Sequence, residues 1–146
     1  MGSSKIIMLS GIYLIFGFYI KAYHNVDEMV FKASVKAASM AQTEQLAQTG
    51  VTLAKSFLGG SATSSLSTQT FVSGLDTVRY SANPGSLPAS QTLVTSVASH
   101  YTTIDVDGIP TIKVVRKVTQ TALMQYHNSR WKQLKIYTTR SYQDNF

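Results

Sequence analysis

The chain has 146 residues, a hydrophobic fraction of 44%, a charged fraction of only 14% and a formal net charge of +6. This length suits one globular domain with an appended element and excludes a second core. The composition is neither that of a disordered tail nor that of a typical cytosolic enzyme, and it indicates a partly membrane-like chain. The absence of cysteine excludes disulfides, thiolate metal sites and cysteine nucleophiles.

The first third of the chain predicts one continuous helix whose first part is apolar all round. Residues 6–20 carry no charged side chain and are bounded by Lys5 and Lys21. Such a run can be a cleaved signal peptide, a membrane-spanning helix or a buried core helix. No convincing cleavage signal follows Lys21, and the helical phase continues through the junction, so the segment is expected to be retained. Nothing later in the sequence is apolar enough to surround a core helix.

Beyond this run the helix becomes amphipathic. Apolar side chains recur at alternating steps of three and four residues as far as Leu58, a spacing typical of one face of a gently supercoiled helix. Glu44 alone interrupts the series, and the Gly59-Gly60 pair is the predicted helix end. At about 1.5 Å per residue the element would be roughly 80 Å long. The other residues cannot cover it, so a bilayer or further copies of the helix must do so.

Two features of this helix bear on how it packs. Small residues such as Ala33 and Ala37 would let a second helix approach closely. Gly11 and Gly17 are the expected points of stretching or unwinding, because each glycine costs about 1 kcal/mol of helix propensity relative to alanine. The residues predicted to pack against neighbouring helices are Leu9, Ile12, Phe16, Tyr19, Tyr23, Val26, Val30, Ala33, Ala37 and Met40.

The remainder of the chain predicts a small antiparallel sheet. Alternating and β-branched residues predict strands at 76–82, 92–106, 109–123 and 131–142, with 92–106 forming one strand or two. Trp131, Leu134 and Ile136 are available for burial in the last of these. The turn signals between the strands are Asn83-Pro84-Gly85, Asp107-Gly108 and His127-Asn128-Ser129.

These elements predict an α+β fold in which a long N-terminal helix, hydrophobic in its first half and amphipathic in its second, packs against three or four antiparallel strands. The expected organisation is a helical spine at 1–58, a Gly/Ser/Thr-rich connector at 59–75 and a β domain at 76–146. Within the connector, residues 61–73 form either an extended surface strand or a polar loop.

Catalytic and metal-binding patterns are sparse, and we predict neither an enzyme nor a cofactor. His24, His100 and His127 are far apart and belong to no metal-binding pair. Residues 105–108 resemble the start of a calcium loop, but further oxygen ligands are missing, so a hairpin turn is the better interpretation.

Basic residues gather in the C-terminal half, interleaved with aromatic ones. Such a group can form a surface for an anionic ligand such as nucleic acid or a polysaccharide. It can equally form the solvated face and protect an edge strand. The residues concerned are Lys113, Arg116, Lys117, Arg130, Lys132 and Lys135.

The layout of an uncharged apolar start at 6–20, an amphipathic extension to Leu58, a glycine stop, a Ser/Thr-rich connector and a small sheet resembles the type IV pilin and pseudopilin superfamily. The resemblance implies a structural subunit that waits in the inner or cytoplasmic membrane. Separate machinery would then assemble it into a homopolymeric cell-surface filament with bundled helices at its centre. Adhesion is among the roles of such filaments. Pilins usually carry a glutamate near the mature N-terminus, where this chain has Lys5.

A second interpretation is a single-span membrane protein whose sheet is a binding module that does not polymerise. Lys21, Lys32 and Lys36 outnumber the basic groups before the apolar run. The positive-inside rule would then place the sheet in the cytoplasm, whereas a surface filament requires the sheet to lie outside.

Overall fold

A computed structural model describes residues 2–60, 62, 64–106 and 108–142; the side chains of residues 2–9, 104–106, 112–113 and 142 lie outside that description. A long helix precedes a sheet of five strands. These elements are α1 (Gly2–Leu58), β1 (Leu66–Ser73), β2 (Asp76–Asn83), β3 (Gln91–Val106), β4 (Ile109–His127) and β5 (Arg130–Tyr142). The predicted α+β fold class is confirmed.

The end of α1 lies at the predicted glycine pair. Gly59 adopts a φ of 59°, the left-handed conformation that glycine accepts without a steric cost. Its N–H donates to the carbonyl oxygen of Lys55 at 3.2 Å, which satisfies one of the carbonyl groups that the helix leaves open. The positive charge of Lys55 in the last turn also suits the helix dipole.

The sheet is an antiparallel meander in the order β1-β2-β3-β4-β5. Val106 pairs with Ile109, and Gly108 has a φ of 78°, so β3 and β4 form a hairpin. Asn128 and Ser129 have φ values of 50° and 59°, as a two-residue hairpin loop of the primed type requires.

The sheet differs from the predicted one in its number of strands. The connector segment that could have been a loop contains β1, which pairs with β2. Residues 92–106 belong to one strand, β3, rather than two. The sheet therefore has five strands where three or four were expected.

By its internal contacts the chain divides into two compact units, Met1–Ser39 and Met40–Phe146. In the second unit, the last part of α1 packs on one face of the sheet. Small residues on both sides of this core allow helix and sheet to approach closely, and larger side chains such as Trp131 and Met124 fill the remaining space. The buried residues of this core are Ala47, Val51, Ala54 and Leu58 of α1, and Val78, Tyr80, Ala82, Val94, Ala98, Val118, Ala122, Met124 and Trp131 of the sheet.

In β5, one of the residues expected to be available for burial is exposed. Trp131 is 2% exposed, but Leu134 is 52% exposed. The pairing shifts here, because Leu123 opposes Lys135 while Met124 opposes Gln133. Leu134 is thus the extra residue of a β-bulge, which leaves its side chain away from the face that buries Trp131.

Glu44, the single interruption of the apolar stripe, has a partner on the sheet. Its carboxylate accepts hydrogen bonds from Arg140 Nε at 3.1 Å and from Arg140 Nη2 at 2.8 and 2.9 Å. Arg140 opposes the buried Val118 of β4, so it lies on the face of the sheet that α1 covers. The charged residue in the stripe therefore links α1 to β5.

Neutralising this ion pair should have a small effect, because the Arg140 and Glu44 side chains are 54% and 33% exposed. We expect Glu44→Gln and Arg140→Gln each to lower the free energy of unfolding by about 1 kcal/mol or less. Denaturant titration of both single variants and the double variant should give a coupling energy of about 0.5 kcal/mol. Additive losses would show that the bidentate pair contributes nothing to stability.

Candidate subunit interface

The N-terminal apolar segment, which we define as residues 12–35 of α1, exposes large hydrophobic side chains along its whole length. Between 12 and 20 they point in every direction around the helix, since only Gly17 lacks a large apolar side chain there. Their exposed fractions range from 45% to 73%. Members of this set are Ile12, Tyr13, Leu14, Ile15, Phe16, Phe18, Tyr19, Ile20, Tyr23, Val26, Met29, Val30, Phe31 and Val35.

The residues predicted to pack between helices fall into three groups. The side chain of Leu9 lies outside the described residues. Met40 is half-buried and packs against the core of the second unit, so the fold already uses it. All the others are exposed, namely Ile12, Phe16, Tyr19, Tyr23, Val26, Val30, Ala33 and Ala37. The predicted packing residues from Ile12 to Ala37 are thus exposed in the single chain, whereas Met40 contributes to the intramolecular core.

Two charged side chains on the same stretch pair with each other. Lys32 Nζ lies 2.6 Å from Glu28 Oε1, one helical turn away, and both side chains are more than half exposed. The hydrogen bond from Lys32 and its positive charge hold the pKa of Glu28 below its ordinary value. This pair keeps one side of the segment polar.

Helix α1 is continuous through Gly11 and Gly17, the predicted points of unwinding. A Cβ atom at either glycine would meet nothing within 4 Å, so neither position is required by packing in the isolated chain. Over the residues that the structure describes, no helix is both long and apolar enough to qualify as a membrane span.

The basic residues predicted to form one anionic-ligand surface lie in different places. The side chain of Lys113 lies outside the described residues. Arg116 is half-buried. It lies in a row of residues that face each other across neighbouring strands, together with Asp76 and His100. His100 Nδ1 lies 2.7 Å from Asp76 Oδ1. This row of acidic and basic side chains was not predicted, because only the strand register brings it together.

Arg130 and Lys132 lie beside the C-terminal end of α1. With Lys55, Gly60 and Trp131 they line an open depression of about 400 Å³. The last carbonyl groups of a helix carry partial negative charge, which basic side chains complement. This cluster is explained by the helix end without an external ligand.

Lys117 and Lys135 lie on the opposite side of the sheet, which we call the outer face. It is formed by the strand residues that alternate with the buried ones. Lys135 Nζ lies 4.9 Å from the centre of the Tyr137 ring, and a hydrogen bond with Tyr137 raises the pKa of Lys135. The outer face also includes Thr77, Arg79, Ser81, Thr95, Val97, Ser99, Thr119 and Thr121.

The described residues contain no group of three or more His, Asp or Glu side chains that could hold a metal ion. Comparison of the chain with protein-family models, curated proteins and solved structures finds no match.

Proposed function

We propose that this protein is a structural subunit of an extracellular helical filament, polymerised through the N-terminal part of α1. The observation that carries the proposal is the N-terminal apolar segment, whose fourteen large hydrophobic side chains are 45–73% exposed. Burying such surface contributes about 25 cal/mol per Å². A contiguous apolar surface of this extent is a mark of an interaction site.

The composition of the segment favours burial of this apolar surface by copies of the same helix. The stripe continues from large side chains into the exposed Ala33 and Ala37, and small residues let helix backbones approach closely. Side chains spaced by alternating three and four residues can interdigitate with an identical stripe on a neighbour. Each copy would then present its Met40–Phe146 unit outside the bundle.

The proposal includes the stages that the pilin-like layout implies. The uncharged run at residues 6–20 holds the subunit at the membrane before assembly, and separate machinery adds the subunit to the filament. The subunit itself is not an enzyme, and its partners are copies of itself. The filament then displays the sheets at the cell surface.

Electron microscopy of sheared cell-surface material tests this function. An antibody against the Met40–Phe146 unit should decorate filaments along their length, and protease added to whole cells should cleave the sheet. The alternative, a membrane-anchored protein that does not polymerise, predicts that the chain stays in the membrane fraction and that no decorated filament is seen. That outcome would reject the filament proposal.

A further inference from the structure

A shallow cleft lies on the outer face where β2, β3 and β4 meet. Its volume is about 180 Å³. Arg79 of β2 and Lys117 of β4 form its two sides and are both exposed. The residues between and around them, which are mostly apolar or carry hydroxyl groups, are Thr77, Val97, Ser99, Tyr101 and Val114.

The charge in this cleft is uncompensated by the described part of the chain. Within residues 40–142, the acidic residues whose side chains are described are Glu44 and Asp76. Glu44 binds Arg140, and Asp76 lies beside His100. Both acids lie on the side of the sheet that faces α1, so the described outer face has basic residues and no acidic ones. The charge of the described outer face therefore favours an anionic occupant.

The spacing of the two cations lets an extended ligand contact both. Arg79 of β2 opposes Val97 of β3, while Lys117 of β4 opposes Ser99 of β3. The two basic residues therefore lie on either side of β3 and are offset by two residues along the strand direction. Their Cα atoms are then about 12 Å apart, given an interstrand spacing near 4.8 Å and a rise near 3.4 Å per residue. At this spacing each side chain can bind a separate anionic group, so a polymer with recurring anionic groups can contact both.

The surroundings of the cations distinguish a sugar polymer from a nucleic acid. Single-stranded nucleic acid is bound by exposed aromatic rings on which bases stack. Tyr101 in the cleft is half-buried, and one side of the Tyr137 ring is occupied by Lys135. The hydroxyl groups of Thr77 and Ser99 instead suit the hydroxyl groups of a sugar, and the Arg79 guanidinium suits a carboxylate in a bidentate geometry.

We propose that the outer-face cleft binds an acidic polysaccharide, with Arg79 and Lys117 contacting carboxylate groups along the polymer. Both side chains are exposed, so replacing them leaves the core unchanged. The site lies within the Met40–Phe146 unit, and it does not depend on filament formation.

Titration of the full chain with fluorescently labelled polygalacturonate tests the site. We expect the double variant Arg79→Gln/Lys117→Gln to bind at least about tenfold more weakly, because it loses two charge-assisted contacts. The matched control is Arg130→Gln/Lys132→Gln, which removes the same net charge beside the helix end. The control should keep its affinity within about twofold.

Three results would overturn the proposal: no binding of polygalacturonate by the unmodified chain, equal weakening in the two double variants, or tighter binding of a single-stranded DNA of matched charge. The variant Ile12→Asp, whose substitution lies outside the Met40–Phe146 unit, should bind polygalacturonate as the unmodified chain does. A failure of the filament proposal would thus leave the result of this titration interpretable.

Discussion

Replacing Ile12 with aspartate is expected to abolish filament formation while the Met40–Phe146 unit still folds. Ile12 is 45% exposed in the single chain, so the substitution leaves the core of the Met40–Phe146 unit unchanged. In the bundle the carboxylate would be buried among apolar side chains without a partner, at a cost of several kcal/mol per subunit. Electron microscopy should show no filaments, and circular dichroism should show an intact sheet.

A second substitution and a matched control make this result specific. Gly17→Lys should have the same effect, because it places a cation in the same apolar surface and has free space around it in the subunit. Asn25→Asp introduces the same carboxylate on the same exposed helix but removes no apolar side chain, so filaments should persist. Long filaments in either of the first two variants would show that residues 12–17 do not pack between subunits.

Gly50→Val is expected to destabilise the Met40–Phe146 unit by about 2–3 kcal/mol. A Cβ atom at Gly50 would lie 2.1 Å from Ser96 Oγ and 2.7 Å from Val78 Cγ1, and both residues are almost fully buried. Over-packing of this kind costs about 1–3 kcal/mol or more, while removing a glycine from a helix returns less than about 1 kcal/mol. The melting temperature of the sheet should fall by roughly 10 °C.

Two further variants separate steric overlap from other causes. Gly17→Val makes the same chemical change in the same helix where a Cβ meets nothing within 4 Å, so the melting temperature of the sheet should not change. Adding Ser96→Ala to Gly50→Val removes the nearest overlapping atom and a buried hydroxyl oxygen that has no hydrogen-bond partner within the described structure. Part of the stability should return. If the effects of the two substitutions on stability were simply additive, the close approach of helix and sheet at Gly50 would be contradicted.

The helix and its end are predictable because each depends on local sequence. Periodic apolar residues without proline specify a continuous helix, and Gly59 ends it through a backbone conformation that few other residues accept. The buried positions Ala47, Val51, Ala54 and Leu58 all belong to the predicted stripe. The turns at Gly108 and at Asn128-Ser129 were likewise marked by their residue types.

Other features depend on which strands become neighbours, and a single sequence does not specify that. Strand β1 reads equally well as a polar loop until its pairing with β2 is known. Arg79 was absent from the predicted basic group because it is distant in sequence, yet the register places it beside the cleft that Lys117 lines. Whether a side chain fits at Gly50 depends on Ser96, which lies in another element.

The most direct measurement of the central claim is intermolecular cross-linking through single cysteines. The chain contains no cysteine, so Phe16→Cys and the control Lys132→Cys each carry one thiol, the first in the N-terminal apolar segment and the second on the sheet. Treatment of assembled material with a short bismaleimide should convert most of the Phe16→Cys subunits into covalent dimers and leave most of the Lys132→Cys subunits monomeric. Bundling of the N-terminal helices would be contradicted if the Phe16→Cys protein stayed monomeric under conditions in which the Lys132→Cys subunits become linked.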